Sequence, residues 1–225
     1  MIINATSLAA LRVGFSTAFQ GVLSQAPSDH ARIATVVRST TASNKYGWLG
    51  NLPGMREWLG DRVVHGLSEH DYTLVNKPFE LTVGVKKDDI EDDNLGVYTP
   101  MIEMMAAAAG SKPDEMVFAA LKNGFSSPCF DGQNFFDTDH PVIAADGSIG
   151  TASNTGGGSG TPWFLLCTNR PIKPLIHQVR KPAQFVAMDR PDDPNVFSRG
   201  ELTYGVDGRW AVGYGLWHLA YGSKQ

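Results

Sequence analysis

Cysteine is scarce: Cys129 and Cys167 are the only two in 225 residues, too few and too far apart for a disulfide scaffold. They read as free thiols of a reducing compartment. No apolar run approaches the roughly 20 residues that a membrane span needs. The N-terminus has no basic stretch followed by an uninterrupted apolar one, so no signal peptide is expected. A basic excess is missing too: 19 Lys and Arg against 23 Asp and Glu give a net charge of −4, which argues against a dedicated nucleic-acid binder. No internal repeat is visible, so a solenoid is excluded.

What is present is a globular composition, 42% hydrophobic and 19% charged, arranged around one stretch rich in helix formers, Val97 to Phe125. Met101, Met104, Met105 and Ala108 recur at the spacing of one helical face, and Met116, Ala119 and Ala120 continue it. Ser111, Pro113, Asp114 and Glu115 have the order of a helix start, so a break or kink is expected near Gly110. The acidic run Asp88 to Asn94 precedes the helix and favours its positive end.

Elsewhere β signals dominate. An N-terminal helix capped by Thr6 or Ser7 carries Leu8, Leu11, Phe15, Ala18, Phe19 and Val22 on one face, and Ala31 to Thr40 is β-prone. The segment KYGWLGNLPGMREWLGDRVV sets Trp48 and Trp58 on either side of a Pro-Gly turn and reads as a long hairpin. Its glycines make a self-contained core improbable, so Trp48, Leu49, Leu52, Met55, Trp58 and Leu59 form an apolar patch that something must cover. Phe79, Leu81, Val83 and Val85 alternate as a strand, and WFLLCT, PLIHQV and QFVAM read as three short ones. Asp146 to Thr161 has the composition of a mobile loop and marks the best internal boundary. The C-terminal stretch reads as a hairpin turning at Asp207-Gly208. The sum is an α+β protein with antiparallel sheets around a central helix.

The search for chemistry returns little. Asp131, Asp137, Asp139 and His140 offer carboxylate and imidazole, the ligand types of zinc, iron or manganese and the groups of a metal-dependent hydrolase. No second histidine stands at a ligand interval, and Asp, Asn and Gly are what turns require. An EF-hand aligned on Asp89, Glu91 and Asp93 fails at Asn94 and Pro100; no nucleophile elbow or P-loop exists, and His65 and His70 lack the zinc-protease pattern. No catalytic, cofactor-binding or metal residue is assigned, and the chemistry expected is association.

The phrases YGWLGNLPGMREWLGDRVV, NKPFELTV, DDIEDDNLGVYTP, KPDEMVFAALKNGF, PCFDGQNFFDTDHPV, WFLLCTNRPIKPLI and YGVDGRWAVGYGLWHLAYGSK resemble, in this order, the major head subunit of Mu-like phages and prophages, the gpT family. The resemblance implies the Hong Kong 97-type capsid fold. Residues 1–43 would be the N-terminal arm and helix, 44–75 the E-loop hairpin, 76–146 the peripheral domain with a spine helix at 97–124, and 147–225 a β-rich axial and peripheral portion. It implies a major capsid protein that self-assembles as pentamers and hexamers into an icosahedral head around double-stranded DNA, bound without sequence specificity. Scaffold, protease and portal would be assembly partners; there would be no enzyme activity, no cofactor and no membrane. The protein would reside in the virion after assembly in the host bacterial cytoplasm. Trp48, Leu52 and Trp58 would lie on an adjacent subunit. Family members continue beyond the equivalent of Gly222-Ser223-Lys224 with a further helix and strands, so part of the axial domain is expected to be lacking here. A nanocompartment shell around protein cargo is the related alternative.

Overall fold

The computed structural model describes residues 4–49, 71–92, 95–143 and 148–224. In chain order the elements are α1 (Ala5–Gln25), α2 (His30–Ile33), β1 (Ala34–Arg38), β2 (Ser43–Lys45), β3 (Thr73–Val75), β4 (Lys77–Lys86), α3 (Lys87–Glu91) and α4 (Tyr98–Asn123). They continue with β5 (His140–Ile143), β6 (Ile149–Ala152), β7 (Pro162–Leu166), β8 (Leu175–Met188), α5 (Pro194–Arg199), β9 (Glu201–Tyr214) and β10 (Ala220–Lys224). The content is α+β, as expected. Contacts divide the chain into two compact units, and neither is contiguous. Unit 1 is Met1–Ser28, Lys77–Pro113 and Arg180–Trp210; unit 2 is Asp29–Asn76, Asp114–Val179 and Ala211–Gln225. The boundary expected at 146/147 therefore falls inside unit 2.

In unit 1, α1 is capped two or three residues earlier than expected. Asn4 is the N-cap: its side chain accepts from the Ser7 N–H at 2.8 Å, while the Asn4 N–H donates to the Ser7 hydroxyl at 3.0 Å, a reciprocal capping box. Leu8, Phe15 and Phe19 are buried against Val85, Leu202, Tyr204 and Val206, which lie at inward positions of β4 and β9. Phe15 meets the Tyr204 ring edge-on at 5.0 Å. β4 and β9 pair antiparallel over their whole overlap, Lys77 opposite Trp210 through to Lys86 opposite Glu201.

That register overturns the expected C-terminal hairpin. Asp207 and Gly208 lie mid-strand, opposite Glu80 and Phe79. A side chain at 208 would overlap the Trp210 ring, which stacks on Phe79 at 5.3 Å, so this glycine makes room for an aromatic rather than turning the chain. PLIHQV and QFVAM are likewise one strand, β8, running through Pro182.

The helix α4 is continuous, with Pro113 inside it. Gly110 marks no break; a Cβ there would overlap Ala26, so its absence lets the end of α1 approach. The buried face is Ile102, Met105, Ala106 and Ala109, with Val117 and Leu121 further on. Met101 and Met104 are 44% and 72% exposed, so the expected face is displaced by one residue. Residues 101–109 are apolar on nearly every side, which lets two adjacent faces satisfy the same spacing; packing chose between them. The first part of the acidic run, Asp88 to Glu91, lies in its own short helix, α3, with Ile90 fully buried and Asp89 accepting the Tyr98 hydroxyl.

In unit 2, β1 pairs parallel with the 175–179 part of β8, and β7 pairs antiparallel with β10. The β-prone stretch from Ala31 thus begins helically, as α2, before β1. The glycine-rich segment is no free loop in its described part: β6 pairs with β5, and the Gly156 N–H donates to Gly222 O at 3.2 Å while Lys224 N–H donates to Gly157 O at 2.7 Å. Positive φ at Gly157 (68°) and Gly158 (92°) explains the glycines.

Candidate subunit-contact surface and buried polar networks

In unit 2, β2 and β3 pair antiparallel as a two-stranded stem, Ser43 opposite Val75 and Lys45 opposite Thr73. The stem is fixed by polar groups. The Tyr46 hydroxyl donates to Gln178 Oε1 at 2.7 Å, Gln178 Nε2 donates to Leu74 O at 3.2 Å and Asn76 Oδ1 at 2.8 Å, and Asn76 Nδ2 reaches Ser39 Oγ and Thr41 O at 3.1 and 3.0 Å. Burial pushes the Tyr46 phenol up to about 12, against a smaller lowering by Asn44, so it stays a neutral donor. None of these polar residues stood out in the sequence, because no spacing announces contacts 132 and 102 residues apart.

Of the expected contact residues, Trp48 is 39% exposed and leans on Tyr46 at 6.1 Å between ring centroids. Leu49 is fully buried in the core of unit 2, so it is an internal packing residue and leaves the contact set. Its neighbour points out because successive side chains diverge. Leu52, Met55, Trp58 and Leu59 lie outside the described residues.

The aspartate-rich turn is more organised than turn chemistry requires. Asp131 Oδ2 accepts from His140 Nδ1 at 2.7 Å, and its Oδ1 lies 3.0 Å from Cys129 Sγ and 3.1 Å from the Gln133 N. Asn154 Nδ2 donates to Phe135 O at 2.7 Å and Trp217 O at 3.2 Å, which turns Asn154 Oδ1 toward His140 Nε2 at 3.2 Å. Both ring nitrogens of His140 therefore face acceptor oxygens. The ring is fully buried and stacks on Trp217 with 4.0 Å between centroids. Burial alone would raise the Asp131 carboxyl, but hydrogen bonds from His140, Cys129 and the Gln133 N–H outweigh it and hold the group below the usual carboxylate range. Burial, reinforced by the adjacent Asp131 carboxylate, drives the Cys129 thiol up, so no reactive thiolate forms.

Cys129, Asp131 and His140 have ligand types and separations that could hold a metal ion. Each donor and acceptor named above is nonetheless satisfied by another protein group, which makes the cluster a structural tie between the turn and Trp217. Asp137 and Asp139 do not join it: Asp137 caps the N–H groups of Asn134 and Thr138, and Asp139 is exposed.

A second network was equally invisible in sequence. Asp114, expected to start a helix within the spine, instead accepts the N–H groups of Asp29 and His30 at 3.0 and 2.9 Å and His30 Nδ1 at 2.8 Å. His177 stands edge-on to His30 at 4.7 Å, 3% exposed, with no hydrogen-bond partner on either ring nitrogen among the described residues.

An α+β chain with a packed N-terminal helix, a two-stranded stem, a long central helix and two units that are each discontinuous in sequence has the fold of a Hong Kong 97-type capsid subunit, a structural component of a phage head. The model of the Mu-like prophage major head subunit gpT matches residues 8–225, and the chain belongs to that family. It is 45% identical over 230 residues to the major capsid protein of Escherichia phage Mu, covering 100% of this chain and 75% of that protein. It is 48% identical over 222 residues to the Mu-like prophage FluMu major head subunit of Haemophilus influenzae, covering 96% and 72%. Its fold is similar to the subunit in the procapsid of bacteriophage JBD30, with a TM-score of 0.86, 49% identity, and coverage of 99% of this chain and 76% of that one. Against the JBD30 capsid the TM-score is 0.72 at 38% identity, with coverage of 99% and 73%. No helix among the described residues is long and apolar enough to cross a membrane.

Proposed function

We propose that copies of this chain assemble as pentamers and hexamers into an icosahedral head enclosing double-stranded DNA, bound without sequence specificity. Assembly takes place in the host cytoplasm with scaffold, protease and portal as partners, and involves no catalysis or cofactor. Trp48, Leu52, Met55, Trp58 and Leu59 contact an adjacent subunit. The observation that supports this best is Trp48: a large aromatic left partly uncovered on Tyr46, at a stem held rigid by Gln178 and Asn76. A preformed stem limits the conformational entropy lost when the aromatic docks.

Electron microscopy of the purified protein, alone and with the products of its operon, tests the assembly, and absorbance reports packaged DNA. Shells carrying a co-purifying enzyme instead of DNA would favour a cargo compartment. Trp48→Ala is expected to leave a folded subunit whose assembly is impaired, since losing an aromatic anchor at an interface costs about 2 kcal/mol or more. A variant that unfolds would assign Trp48 to the subunit's own core.

A further inference from the structure

In unit 2, β8 carries one polar side chain that the fold shuts away with nothing to bond. His177 is buried, and neither ring nitrogen has a hydrogen-bond partner among the described residues. Buried polar groups ordinarily find one, since an unmade bond forfeits the solvation lost on burial. The strand around it is held firmly. Leu175, Ile176 and Gln178 are fully buried, residues 175–179 pair with β1, and Gln178 is tied to Tyr46, Leu74 and Asn76.

The helix that covers it is held less firmly. His30, edge-on to His177 with 4.7 Å between centroids, belongs to the four-residue α2. The N-cap of α2, Asp29, makes no side-chain capping bond, and the duty falls to one carboxylate of α4. Asp114 accepts the N–H groups of Asp29 and His30 and also His30 Nδ1. A helix of one turn has little stability apart from such ties. Ile33, at its far end, is buried in the core of unit 2, so the end able to lift is that of Asp29 and His30. The titratable groups acting on His177 are His30 from α2 and Asp114 from α4; on β1 the residue opposite is Val36, and Asp29 is paired with Arg32 at 3.2 Å.

We infer that α2 is an acid-operated latch: a proton on His177 expels the His30 ring and lifts the Asp29–His30 end of α2 from Asp114, while β8 and β1 stay paired. The latch is independent of the assembly proposed above. Burial first, and His30 second, pull His177 down from 6.5 to about 4, and lifting His30 lets water restore the ordinary value. Opening is therefore insensitive to pH above 6.5 and grows as pH falls toward 4. Charge on His30 would tighten its bond to Asp114 and oppose release, so the His177 share is read against variants.

The test is amide hydrogen exchange of the unassembled full chain at pH 7.5, 6 and 5, with Leu121, on the buried face of α4, reporting global unfolding. The His30 N–H should be about tenfold or more less protected than that of Leu121 at every pH. Between pH 7.5 and 5 its protection factor should fall about thirtyfold more in the parent than in His177→Phe or His177→Gln. Equal protection of His30 and Leu121 would mean that α2 opens only when unit 2 unfolds. Protection that does not fall with acid, or falls equally in the variants, would break the link to His177. Any of the three overturns the latch, and if neither variant folds, the parent decides on the first two alone.

Discussion

Acidification should weaken unit 2, and His177 carries a share of the loss that can be isolated. Its imidazole is buried, neutral and without hydrogen-bond partners among the described residues, and the ring it touches, His30, is already committed to Asp114. Protonation would place an unsolvated cation there. Burial first, and His30 second, pull His177 down from its ordinary 6.5 to about 4, with Asp114 opposing weakly. Between those values the unfolded chain takes up a proton that the folded one refuses, so the stability is fully present above pH 6.5 and falls as pH drops toward 4. At pH 5 the loss works out at about 2 kcal/mol relative to neutral pH, rising to about 3 kcal/mol below pH 4. In a chain of this size 2 kcal/mol corresponds to roughly 4–8 °C of Tm. The assay is urea unfolding of the unassembled subunit at pH 7.5, 6 and 5, for the parent and for His177→Phe, which keeps the edge-on ring and removes the titration. His218 is also pulled down by burial, so the parent's pH dependence exceeds the His177 share and the difference between the two proteins is the quantity read. The variant should lose about 2 kcal/mol less than the parent between pH 7.5 and 5. An identical pH dependence in both would refute the reasoning.

Three further outcomes follow from the packing. His140→Ala removes the ring that donates to the buried Asp131 carboxylate and should cost about 1–3 kcal/mol, read as a lower urea midpoint with unchanged slope. Leu49→Ala should destabilise the isolated subunit by about 2–5 kcal/mol, whereas Trp48→Ala, one residue away, should show its effect in assembly; equal melts for the two would refute the division between core and contact residue. Gly110→Ala would ordinarily strengthen a helix by about 1 kcal/mol, but here the new Cβ meets Ala26, so a lower Tm is expected, and a higher one would show that α1 does not pack there.

Much of this protein was legible from its residues alone. The α+β class, the N-terminal helix, the alternating strand from Phe79 to Val85 and the long central helix all follow from local periodicity, which depends only on neighbours a few positions apart. The phrases shared with the gpT family carried the capsid assignment, and the family match over residues 8–225 agrees.

The tertiary structure decided whatever depended on distant partners. Asp207-Gly208 is a textually perfect turn that became mid-strand because Trp210 needs the space above Gly208 and β4 lies alongside. The spine helix buries Ile102 and Ala106 rather than Met101 and Met104, since an all-round apolar segment has no preferred face until something packs on it. Asp114 caps a different helix, and Asp131 and His140 form a buried pair under Trp217, which lies 77 residues beyond His140 in the chain. Sequence spacing encodes the short-range geometry of helices and strands; which acid meets which base, and which aromatic stays partly uncovered, is fixed only when segments distant in the chain pack together.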